Sequence, residues 1–87
     1  MTDQAEISKQ LIAVQQDGFV IRHIKNPTEE LQVAAVNEYG LAIQFIENPS
    51  EAVQLSAVKQ YGYAIQFIKN PTEAVEKAAT FSLLLTV

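Results

Sequence analysis

Cysteine is absent from this chain, which excludes a disulfide framework, a thiolate metal site and a thiol nucleophile, and makes a reducing compartment the natural setting. Histidine is nearly absent too: His23 stands alone, and only Asp3 and Asp17 supply aspartate. A metal site or an acid–base pair needs several such groups converging, so neither a metal nor another cofactor is expected. Basic side chains are few. Lys9, Arg22, Lys25, Lys59, Lys69 and Lys77 oppose ten acidic residues for a formal net charge of −4, and they are scattered. That excludes the clustered positive footprint of a direct nucleic-acid binder. The acidity is also too thin for a nucleic-acid mimic and serves solubility. No run approaches the roughly 18 consecutive apolar residues of a membrane span, and the first fifteen residues do not form a basic-then-apolar leader. A cytoplasmic protein without a membrane partner is expected.

What the chain does have is a period. Asn26-Pro27, Asn48-Pro49 and Asn70-Pro71 recur every 22 residues, and Gly18, Gly40 and Gly62 keep the same interval. Residues 26–47 (NPTEELQVAAVNEYGLAIQFIE) and 48–69 (NPSEAVQLSAVKQYGYAIQFIK) align without a gap. A degenerate copy occupies residues 4–25 and a partial one residues 70–87, so two full units stand between two atypical ends. Such ends are expected in a repeat array, where a terminal unit has a neighbour on one side only. With 87 residues, the chain is read as a single domain over 1–87.

Within a unit the pattern predicts helix, turn, shorter helix. Asn26, Asn48 and Asn70 are expected as N-caps, with proline at the first helical position and Glu29, Glu51 and Glu73 at the third. Asp3 with Glu6 offers a similar box for the first helix. Leu31, Ala34, Ala35 and Tyr39, and in the next copy Val53, Ala57, Val58 and Tyr61, make a stripe widened by Val33, Val36 and Leu55, which implies contact on more than one side. Gly40 and Gly62 are expected as left-handed residues closing the helix. LAIQFI and YAIQFI are read as short helices because Ala42, Phe45 and Ile46 recur at helical spacing. The expected fold is all-α: a short solenoid of helical hairpins in which Phe45 and Ile65 are core positions whose truncation costs about 2–5 kcal/mol.

The pattern A-V-x-x-x-G-x-A-I-x-F-I-x-N-P, seen at Ala35-Val36, Gly40, Ala42-Ile43, Phe45-Ile46 and Asn48-Pro49, resembles a family of short α-helical repeats of bacteria and their phages, catalogued as a domain of unknown function. The resemblance covers residues 26–79 well and 4–25 less well. It implies a helical-hairpin array with a protein-contact role, and it carries no catalytic or ligand residues. Gln4-Ala5 stands where Asn-Pro would be and Leu84 where the turn glycine would be.

His23 occupies the register slot of Phe45 and Phe67, which reads as a packing position turned polar near one end. The repeated glutamates are explained as helix-start residues rather than a cation array. Ser8, Ser50, Ser56 and Ser82 have no triad partners, so no enzyme is expected. Surface positions that differ between copies, namely Leu41, Tyr63, Gln44 and Gln66 together with Asn37, Lys59 and Gln60, are the expected site for a protein or peptide partner. Tyr63 is the expected anchor. Regulation by inhibiting a host enzyme or defence complex is the alternative reading. At the C-terminus the polar helix end becomes the apolar run FSLLLTV, so Phe81, Leu83, Leu84 and Leu85 are expected to be covered, either in a homodimer or by folding over the open end of their own stack.

Overall fold

The structure, a computed structural model, describes residues 4–85. Four α-helices, α1 (Gln4–Gln16), α2 (Glu29–Glu38), α3 (Glu51–Gln60) and α4 (Glu73–Leu85), alternate with three 3₁₀ helices, η1 (Gly18–His23), η2 (Gly40–Phe45) and η3 (Gly62–Phe67). No strand occurs among the described residues. The all-helical expectation therefore holds, and LAIQFI and YAIQFI are helical, but they wind as 3₁₀ helix with three residues per turn. That winding corrects the core assignment. Ile43 and Ile46, three apart, are both buried, whereas Phe45 is 39% exposed. The large truncation cost belongs to Ile43, and Ile65 is only half-buried.

The passage from α to 3₁₀ helix is made by one extended residue. Tyr39 (φ −139°) donates its N–H to the Ala35 carbonyl at 2.9 Å and accepts from the Ala42 N–H at 2.9 Å. Tyr61 repeats both bonds at 2.9 Å with Ala57 and Ala64. In the first unit Asp17 takes this place and adds a side-chain bond, accepting from the Phe19 N–H at 3.0 Å. The glycine that follows is not left-handed, contrary to expectation, since no glycine has positive φ among the described residues. Its missing side chain matters for a different reason. A Cβ on Gly40 would lie 2.5 Å from the carbonyl oxygen of Ala57, in the next unit, and one on Gly18 would lie 2.5 Å from that of Ala35. Glycine lets the following α-helix approach the 3₁₀ backbone directly.

The return from 3₁₀ to α helix is where the left-handed residues are. Asn26, Asn48 and Asn70 have φ of 52°, 48° and 53°, a region that asparagine tolerates better than most side chains. They are therefore not the caps. The caps are Thr28, Ser50 and Thr72, whose hydroxyl oxygens accept from the N–H of Leu31 (3.2 Å), Val53 (3.3 Å) and Val75 (3.2 Å). Proline then precedes the cap, and Glu29, Glu51 and Glu73 open the helix at the first position, next to the positive end of its dipole. The Gln32 and Gln54 amides brace the turn by donating to the carbonyls of Pro27 (3.0 Å) and Pro49 (2.9 Å). For the first helix, Asp3 lies outside the described residues, and α1 begins at Gln4.

Each α-helix packs on the α-helices before and after it, each 3₁₀ helix does the same in a second row, and no element reaches past the adjoining unit among the described residues. The result is a slab 41 × 24 × 16 Å. Register positions share a fate. Leu31, Val53 and Val75 are sealed, as are Ala35, Ala57 and Ala79, and so are Val14, Val36 and Val58. A stripe buried on two sides explains why so many small and β-branched side chains occupy such short helices. Where Leu84 replaces the close-approach glycine the chain does not turn, and α4 runs on to Leu85.

Candidate functional site

The 3₁₀ row exposes aromatic surface that the core does not use. Tyr39, Tyr61, Phe45 and Phe67 occupy two register positions, and all four are exposed. Phe19 joins two of them: its ring stacks on Tyr39 at 4.9 Å between centroids and meets Phe45 edge-on at 5.8 Å. These separations suit aromatic packing, so Phe19, Tyr39 and Phe45 hold one another in place. Tyr63, the expected anchor, is 55% exposed and meets Tyr61 at 5.5 Å. Its register partners Phe19 and Leu41 are half-buried, because a further 3₁₀ helix follows each of them.

The other expected contact residues divide. Leu41 packs against the core and presents only part of its surface. Gln44 is exposed, with its amide donating to the Leu41 carbonyl at 3.0 Å, and Gln66 is exposed on η3. Three residues per turn place Leu41 with Gln44, and Tyr63 with Gln66, on matching faces of adjacent 3₁₀ helices. Asn37 and Lys59 are exposed. Gln60 serves the fold instead, its side-chain oxygen accepting from the Gly40 N–H of the preceding unit.

Below the aromatic surface, along the edge formed by the Asn-Pro turns, lie two open grooves of about 580 and 590 Å³. They are the same groove one unit apart. Phe67, Ile68, Lys69, Pro49 and Gln54 in one correspond to Phe45, Ile46, Glu47, Pro27 and Gln32 in the other. Phe45 and Phe67 were missed as surface residues because an α-helical period puts them inside. A period of three does not bring them out either, since it sets Phe45 with the sealed Ala42 and Phe67 with the sealed Ala64.

The C-terminal residues also divide. Leu83 is half-buried and closes over η3, where its Cγ would lie 2.7 Å from a Cβ on Gly62. Phe81, Leu84 and Leu85 are 64%, 67% and 72% exposed. The segment does not fold back: α4 continues through it, Leu83 packs on η3, and the other three remain on the surface.

His23 is exposed, and its Nε2 accepts from the Arg22 Nε–H at 3.0 Å. No cluster of three or more His, Cys, Asp or Glu able to hold a metal occurs among the described residues, and none of the described helices is long and apolar enough to cross a membrane. Compared with protein-family models, curated proteins and solved structures, the chain matches none.

Proposed function

We propose that the chain is a short solenoid that acts as a non-enzymatic protein-interaction module, binding a protein or peptide partner through its 3₁₀ row. The observation that carries this reading is the exposure of Tyr39, Phe45, Tyr61, Tyr63 and Phe67 along this row, with Phe19 packed on Tyr39 and Phe45, and Tyr61 on Tyr63. Exposed aromatic surface is unfavourable in water, and tyrosine is enriched where partners bind. Gln44 and Gln66 supply adjacent polar groups, and Leu41 contributes its open edge. Absent cysteine fits the cytoplasm. Phe81, Leu84 and Leu85 would support a homodimer, with Leu83 removed from the contact set because it already serves the fold.

Affinity capture with the full chain, followed by mass spectrometry, tests the contact role. Tyr63→Ala with Phe67→Ala should reduce recovery of the captured partner at least tenfold while the helical circular dichroism is unchanged. Undiminished recovery would remove the aromatic row from the proposed contact.

A further inference from the structure

The two turn-edge grooves share Glu47, and together they display Lys25, Glu47 and Lys69 at one register position. All three side chains are exposed, and their charges alternate along the edge. A surface of this kind favours a partner with the opposite alternation at the same interval. The interval follows from helix packing, which sets neighbouring axes about 8–10 Å apart. Three residues of polyproline II helix rise about 9 Å, so every third side chain of such a segment would meet an equivalent groove.

A second copy of this chain does not satisfy the edge. A two-fold axis through Glu47 sets glutamate against glutamate and Lys25 against Lys69, and moving the axis off centre leaves part of the edge unmatched. The aromatic walls Phe45 and Phe67 lie one unit apart in the same grooves and offer flat faces for proline rings, the usual complement of an extended proline-rich ligand.

We propose that this edge binds an extended, proline-rich segment carrying acidic, basic and acidic side chains at three-residue intervals, in register with Lys25, Glu47 and Lys69. The inference rests on the interaction role above and names the ligand chemistry for it.

A suitable probe is a nine-residue polyproline peptide with glutamate at its second and eighth positions and lysine at its fifth, titrated into the full chain by NMR. The amides of residues 44–48 and 66–69 should shift. A peptide with the two charge types exchanged should bind about fivefold more weakly, a modest ratio because exposed ion pairs are individually weak. The triple variant Lys25→Glu, Glu47→Lys, Lys69→Glu should reverse the preference. Equal binding of both peptides, shifts confined to other surfaces, or no shift at millimolar peptide would each overturn the inference. The comparison of peptides on the unaltered chain does not depend on how the variant folds. The capture experiment alters Tyr63 and Phe67 together and none of the three charges, so the charge rule can fail while the contact role stands.

Discussion

The outer faces of α3 and α4 are written at the same register positions in opposite chemistry. Val58 on α3 is sealed by the following unit, and its counterpart Thr80 is exposed. Leu55 is half-buried, and its counterpart is Lys77, whose ammonium lies 2.9 Å from Glu73. The other end shows the same exchange: where Leu31, Val53 and Val75 are buried against the preceding unit, α1 presents Lys9. At these positions polarity follows the presence of a neighbour. Phe81 breaks this rule. Its counterparts Gln15, Asn37 and Lys59 are exposed in every unit, so an aromatic ring there contributes nothing to stacking.

The comparison breaks most visibly if the end chemistry is moved inward. Leu31→Lys, which copies Lys9 into a sealed position, should destabilise by about 4 kcal/mol or more, since a buried ammonium would lack a partner. That is close to the whole stability of a domain this small, whereas Lys9→Leu should stay within about 0.5 kcal/mol. Urea denaturation followed by circular dichroism reads both, and similar values for the two would erase the distinction between middle and end.

The close-approach glycines give a smaller, sharper test. Gly40→Ala forces a methyl against the Ala57 carbonyl between two packed units and should cost about 1–3 kcal/mol. Gly62→Ala meets Leu83 Cγ at 2.7 Å and the Ala79 carbonyl at 2.8 Å, on a helix that packs only on α3 and η3 among the described residues, and should cost less in the same denaturation series. The smallest effect on stability is expected from Phe81→Asn, which restores the residue of the second unit at an exposed site: within about 0.5 kcal/mol. Sedimentation velocity should show loss of self-association in that variant if Phe81 lies in a homodimer contact. An unchanged concentration dependence would detach Phe81 from it.

Much of this architecture could be read from the residues. The 22-residue interval, the helical class and the doubly buried stripe of α2 and α3 follow from spacing and apolar pattern. What misled was the identity of punctuation residues, because one residue type answers several physical needs. Asparagine before proline fits an N-cap in sequence, yet Asn48 supplies a left-handed backbone and leaves capping to Ser50 two residues on. Glycine after a helix fits a left-handed cap, yet Gly40 yields space to a carbonyl 17 residues ahead, which no local pattern reveals. In the proposed contact surface, Tyr63 was visible as a variable position, whereas Phe45 and Phe67 recur three residues after the sealed Ala42 and Ala64 and so read as core by spacing.

The restriction of every helix to its immediate neighbours has a dynamic consequence. Among the described residues no direct contact joins one end to the other, so loosening has to advance across one interface at a time. α2 and α3, flanked on both sides, are expected to open last, and η2, which packs on both of them, is expected to lie on the most persistent part of the molecule.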